Sequence, residues 1–219
     1  MNVYLIVEGN VGEKKVYAHW VPLVNPSLSI VNSLDAVQHN NVIIYSGGGY
    51  PNYLDVIEAG VEDVSTNKQL DRLVISVDSE EMSYQEKRRE IDGFVKALGK
   101  KLDYKIIVQH FCLETWALGN QVIVPRKPKD IQLRNYRKYF DVLNNDPELL
   151  PSSPEGSLNR SQFAERYLRK LLHEKYRNLT YTKRNPKALL HDTYFKRVKM
   201  RLETTGHIAS FEDFLAAFV

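Results

Sequence analysis

The chain has 219 residues, 43% hydrophobic and 26% charged, enough for one domain or a domain with an appendage that buries about 70% of its unfolded surface without staples. A single cysteine, Cys112, excludes an internal disulfide framework and CxxC zinc sites, HExxH is absent, no apolar run approaches the roughly 18 residues of a membrane span, and MNVYLIVEGN meets a charge and a glycine too early for a signal peptide. The net charge of +3 joins unlike parts: residues 1–125 hold 11 Lys+Arg against 16 Asp+Glu, 126–201 hold 19 against 8, and 202–219 add −3. A cytoplasmic protein that avoids membranes is expected. The charge division suits a metal-binding core with a polyanion-holding appendage, or, more simply, a solvated helical surface.

Val3–Val7 is a continuous apolar run, as in a strand buried on both faces, and Glu8-Gly9-Asn10 ends it. Residues 13–23 have helical character up to Pro22, and 41–45 (NVIIY) form a second strand that stops at Ser46-Gly47-Gly48-Gly49. Pro51 opens a helix over 50–61. Residues 70–77 supply a third strand, ending in Asp78-Ser79-Glu80-Glu81. Ser83 and Glu86 form a capping-box pattern ahead of Ile91, Phe94, Val95 and Leu98, and 104–108 is a fourth strand with a short helix after it in HFCLETWALGN. Strands alternating with helices predict βαβ units and an α/β fold, a parallel sheet covered on both faces. That pattern places an α/β domain at 1–124 and a basic helical extension at 125–219.

Beyond Pro125-Arg126-Lys127-Pro128-Lys129 no strand is expected. Residues 144–159, with Pro147, Pro151 and Pro154, read as a loop. Residues 161–176 read as an amphipathic helix through Phe163, Tyr167, Leu168, Leu171 and Leu172, and a second basic helix is expected to begin near Pro186. Ser210 with Asp213 starts a last short helix, FEDFLAAF.

In a parallel sheet the C-terminal strand ends line one edge, where ligands bind. Glu8 closes the first strand, Asp78 and Glu80 close the third, and Glu114 follows the fourth. Carboxylates converging there would repel unless a cation were present, and Mg²⁺ or Mn²⁺ favour such oxygen ligands. Singly, each acid has an ordinary reading: Glu8 is an exposed acid beside a glycine turn, and Asp78, Glu80 and Glu81 are charges at a helix N-terminus. Glu114 lies in an apolar context and needs a partner, either a cation or a basic side chain.

The ordered set LIVEGN, ISVDSEE and CLETWALGN resembles the Toprim domain shared by primases, topoisomerases and OLD-family nucleases. CLETWALGN is also similar to the E-x-W segment of RloB-like components of bacterial and phage defence. The resemblance implies Glu8 as metal ligand or general acid/base, Asp78 and Glu80 as holders of Mg²⁺ or Mn²⁺, and in-line phosphoryl transfer. It departs at Asp78-Ser79-Glu80, where D-x-D is usual. A lysine near the metals of OLD-like nucleases makes Lys183 the matching candidate. The expectation is a metal-dependent nuclease; the alternative is an inactive Toprim-like module that binds nucleic acid or an ATPase partner protein.

Other signals are weaker. Gly9 to Lys15 lacks the G-K-[ST] ending of a phosphate loop, and the 46–49 glycines suit a tight turn better than a phosphate cradle. Cys112 reads as core. Arg134, Arg137 and Lys138 interleave with Tyr136, Tyr139 and Phe140, and Lys183-Arg184 precede a helix start where positive charge is unfavourable. These five cations are the candidate nucleic-acid contacts, with the aromatics either stacking on bases or packing a helix.

Overall fold

A computed structural model of the chain describes residues 1–176 and 179–219. In chain order its elements are β1 (Val3–Val7), α1 (Val11–Val24), β2 (Ser29–Val31), β3 (Asn41–Ser46), α2 (Tyr53–Thr66), β4 (Arg72–Asp78), α3 (Tyr84–Ala97), β5 (Tyr104–Gln109), α4 (Leu113–Ala117), α5 (Ile131–Tyr139), α6 (Arg160–Lys175), α7 (Asp192–Thr205) and α8 (Phe211–Ala217). Two compact units result: Met1–Val77 with Tyr84–Val108 and Glu212–Val219, and Asp78–Ser83 with Gln109–Phe211. The change of composition at 124/125 thus falls inside the second unit.

The first unit is built on a parallel sheet in the order β2-β3-β1-β4-β5, with Val3 of β1 opposite Val42 of β3 and Arg72 of β4. The α/β reading holds. Central strands read as unbroken apolar runs because both faces are covered. On one face Tyr4, Ile6, Ile43, Leu73, Ile75, Val77, Ile106 and Val108 meet Ile57, Val61 and Val64 of α2 and Ile91 and Val95 of α3. The alternate residues Val3, Leu5, Val7, Val42, Ile44 and Val74 point the other way and are equally buried. Helix α1 lies on that side, where the Tyr17 hydroxyl is 2.6 Å from Ser76 Oγ. It continues through Pro22 to Val24, further than expected. The sheet also has a fifth strand: β2 is an edge of three partly exposed residues, too short to show in a hydropathy pattern.

The C-terminal helix departs from expectation. From Glu212 onward the chain belongs to the sheet unit, not to the helical remainder. Phe214 meets Tyr17 and Trp20 of α1 edge-on, with centroids 5.1 and 6.1 Å apart. Arg72 Nη1 donates to the carbonyls of Ala217 and Val219 at 3.0 and 3.1 Å, and Tyr84 and Arg88 of α3 hold Asp213 at 2.6 and 3.1 Å. Helix α8 is thus packed on α1 and tied by hydrogen bonds to β4 and α3.

The second unit is helical. Asn159 caps α6 reciprocally with Gln162, whose amide donates to Asn159 Oδ1 at 2.8 Å, and Phe163, Ala164, Tyr167, Leu168, Leu171 and Leu172 are all buried. Tyr136 of α5 stands edge-on to Phe163 at 5.1 Å. The second basic helix begins at Asp192 rather than near Pro186, because a 3-10 turn at Lys187–Leu189 comes first. Arg201 of α7 is buried and clamps the loop expected at 144–159, donating to the carbonyls of Leu143 and Asn145 at 2.8 and 3.0 Å.

Glu148, in that loop, accepts from the Ser210 amide at 3.1 Å and from the Ser210 hydroxyl, which in turn accepts from Trp116 Nε1 at 2.7 Å. Burial pushes its carboxyl up to about 7 from 4.5, and the neighbouring Asp146 charge adds to the rise while Ser210 opposes it. The native state therefore holds a proton that the unfolded chain has lost between about pH 4.5 and pH 7, so this contribution is full below that window and disappears as pH rises through it. Glu148→Gln keeps the acceptor for Ser210 without the charge. It is expected to raise stability by about 1–3 kcal/mol at pH 8 and to leave it unchanged at pH 4, as read from urea melts; equal effects at both pH values would refute this account.

Candidate functional site

Strand β4 ends at Asp78, where the backbone makes a tight turn. The Ser79 amide donates to the Gln109 carbonyl at 2.9 Å, Ser79 Oγ lies 2.7 Å from His110 Nδ1, and the Glu80 amide donates to the Phe111 carbonyl at 3.0 Å. Burial, and after it the Arg160 charge, lowers the His110 pKa. Glu80 is exposed and has φ 50°, a left-handed conformation that costs a non-glycine residue about 1 kcal/mol. Glu81 serves a helix N-terminus, though that of α6 rather than α3: Oε1 accepts the Arg160 amide at 2.6 Å and Oε2 lies 3.4 Å from its guanidinium.

Glu114 sits in α4, all five of whose residues are buried, and is itself 3% exposed. Such a carboxylate needs partners. One is Tyr181, whose hydroxyl donates to Oε1 at 2.7 Å. Burial, then the Glu114 charge, pushes the Tyr181 phenol well above its ordinary value. Tyr181 anchors a turn in which the Thr182 and Asn185 amides donate to each other's carbonyls at 3.3 and 2.9 Å, and this turn carries Lys183 and Arg184. The Lys183 side chain reaches solvent, yet its ammonium stands among protein groups that penalise its charge. The negative charges of Glu114 and Asp78, with Glu165 further down in weight, outweigh that penalty and hold its pKa above the ordinary range.

Three of the sequence candidates, Asp78, Glu114 and Lys183, are therefore brought together within the second unit. Tyr181 and Glu165 join them unannounced. Tyr181 had a faint signal in standing directly before the Thr182–Asn185 turn, whereas Glu165 is hidden in the amphipathic pattern of α6. Asp78 and Glu114 supply hard oxygen donors, the kind Mg²⁺ and Mn²⁺ prefer, and Mg²⁺ needs only one or two carboxylates because it completes its shell with water and phosphate. The donor set fits such an ion. Among the described residues no group of three or more His, Cys, Asp or Glu side chains is arranged to hold a metal.

Glu8 belongs to the first unit, directly beyond β1. Its amide donates to the Ser76 carbonyl and its carbonyl accepts from Gly49, both at 3.0 Å. Burial foremost, with Lys87 opposing and the Glu90 and Glu8 charges assisting, raises the Tyr53 phenol. The 46–49 glycines are explained by the turn: Gly48 and Gly49 have φ 77° and 83°, and a Cβ on Gly47 would come 2.6 Å from Tyr53 Cβ. In the Gly9 loop the Gly9 amide is occupied by Glu13 Oε2 at 2.6 Å. Cys112 is a buried thiol, raised in pKa by burial first and then by Glu114 and Asp78, and it matches the core reading.

The basic segment divides. Arg134 and Lys138, four residues apart on α5, are exposed, as is Arg184. Arg137 does not join them: its Nη2 and Nε hold Asp141 at 3.0 and 3.2 Å and its Nη1 holds the Pro125 carbonyl. Tyr136 packs in the interior, so of the interleaved aromatics Tyr139 is the one open to solvent. No family model, no curated protein and no solved structure matches this chain.

Proposed function

We propose that this protein is a metal-dependent nuclease that hydrolyses phosphodiester bonds, with Asp78, Glu114 and Lys183 at the reacting phosphate. The observation that supports the reading is the turn at Thr182–Asn185, on which Lys183 feels the charges of Glu114 and Asp78. Asp78 and Glu114 would hold Mg²⁺ or Mn²⁺, which when bound supplies a water of lowered pKa and neutralises phosphate charge. Lys183 offsets part of the charge of the two carboxylates, which lessens repulsion of a phosphate, and its ammonium can meet charge that develops on the phosphoryl oxygens. Tyr181 orients Glu114 through its hydrogen bond to Oε1. Exposed Arg134, Lys138 and Arg184 are suited to the flanking phosphates.

A second reading, a non-catalytic module that binds nucleic acid or an ATPase partner protein, is favoured by one observation: Lys183 and Tyr181 already compensate Glu114 without a metal. Incubation of the purified protein with single- and double-stranded DNA and RNA in Mn²⁺, Mg²⁺ or EDTA separates the two. The nuclease reading expects cleavage that needs the metal and is lost in Asp78→Asn. Metal-independent retention of nucleic acid without cleavage would establish the second reading. Neutralising Arg134 and Lys138 together is expected to lower the slope of log affinity against log salt by roughly 1.4 to 1.8, at 0.7–0.9 for each lost phosphate contact. An unchanged slope would return α5 to an ordinary solvated surface.

A further inference from the structure

In the second unit a cleft of about 390 Å³, whose lining does not include Lys183, opens beside the start of α7, within the range of small-molecule sites. Its walls combine two kinds of chemistry. Tyr176 and Val122, 43% and 46% exposed, are large apolar side chains open to solvent, and both line this cleft. Tyr194 makes a buried wall and is fixed by its hydroxyl, which donates to the Ala117 carbonyl at 2.8 Å.

The polar groups include a guanidinium, an imidazole, an amide and the Thr193 hydroxyl. Arg197, three residues beyond Tyr194 and so on the same side of α7, has no ion-pair partner among the described residues. His191 immediately precedes the helix. The described lining contains no carboxylate that would neutralise either group. Asn120 is 4% exposed, and its Oδ1 is committed to the Val122 amide at 3.1 Å, so its NH₂ is the group it offers to a ligand.

A flat apolar wall, a donor set into the floor and an uncompensated cation at one end suit a ligand with a planar ring, an acceptor on the ring edge and an anionic group. We infer that this cleft binds a nucleotide, with the base against Tyr176 and Val122, a ring acceptor on Asn120 and the phosphate on Arg197 and His191. The same chemistry could come from a free mononucleotide or from one residue of a single strand. The inference goes beyond the nuclease reading and does not depend on it.

Calorimetric titration in EDTA tests it, using AMP, UMP, adenosine, ribose 5-phosphate and a hexauridylate, with Asp78→Asn added as a second protein to keep the two sites separate. Saturable binding of a mononucleotide is expected, tighter by about tenfold or more than that of adenosine or ribose 5-phosphate, and unchanged in Asp78→Asn. Arg197→Met should weaken the mononucleotide about tenfold and leave adenosine unaffected, whereas Tyr176→Ala should weaken both, because stacking on one aromatic contributes about tenfold or more per base. Both side chains are exposed, and melting curves matching the wild type confirm that the variants fold. Hexauridylate binding tighter than UMP with the same variant pattern identifies a strand as the source; weaker binding identifies the free nucleotide. Absence of saturable binding by every probe, or binding indifferent to both substitutions, overturns the inference.

Discussion

Replacing Lys183 by methionine is expected to slow single-turnover cleavage about 10²- to 10³-fold while changing nucleic-acid affinity far less, because loss of one preorganised electrostatic donor is felt mainly in the transition state. Methionine keeps most of the apolar stem. Lys187, exposed four residues on in the next turn, is the control, and Lys187→Met should cut at the wild-type rate. Removing the ammonium also leaves Glu114 and Asp78 without their compensating charge, so some loss of stability accompanies the loss of rate, and the assay belongs below the variant's melting temperature. The pH profile adds a check that packing alone would not move. Lys183 has a raised pKa, so its proton is retained throughout the neutral range and is lost only above the ordinary lysine value. No alkaline fall in rate should therefore arise from Lys183 below about pH 10. Equal rates for both variants and wild type would remove Lys183 from the reaction and leave the carboxylates to be tested by themselves.

The largest effect on stability is expected at Phe214. Its ring is fully buried and meets Tyr17, Trp20 and Phe218 edge-on, with centroids 5.1, 6.1 and 5.4 Å away. Phe214→Ala should cost about 3–5 kcal/mol, the sum of lost transfer free energy and the cavity left behind. Urea melts followed by tryptophan fluorescence would register this through Trp20. A cost below about 1 kcal/mol would mean that α8 is not part of the sheet unit's core. The contrast with Glu212 is instructive: it stands two residues earlier on the same helix, is exposed, and its replacement by alanine should stay within about 0.5 kcal/mol.

The acids at the strand ends separate by role once the backbone is traced. Asp78 and Glu114 act by their charge on Lys183, but Glu81, three residues after Asp78, is consumed by the first amide of α6, and Glu80 is exposed at φ 50°. Nothing in DSEE distinguishes its three acids, because a turn decides which side chain points where. The cations of α5 behave alike. Arg134, Arg137 and Lys138 are equivalent by composition, yet Arg137 is drawn inward by Asp141, one helical turn away, and by the Pro125 carbonyl.

From the sequence by itself came the features that local patterns determine. Apolar runs of five or so residues ending in glycine and acid, alternating with helical periods, were sufficient for a parallel α/β sheet, since a strand buried on both faces must be apolar throughout. The amphipathic helix α6 and the proline-rich loop before it were legible for the same local reason, whereas the Asn159 cap that starts α6 was not read. Tertiary structure alone decided the rest. The three-residue edge strand β2 exists only because β3 offers it hydrogen bonds; α8 joins the sheet unit through Tyr17, Trp20, Arg72 and Arg88, more than 100 residues away in the chain; and Tyr181 and Lys183 come under the charge of Glu114 across more than 60 residues of sequence. Long-range pairing depends on which surfaces are left to bury and which charges are left to compensate, and neither quantity is written in any one segment.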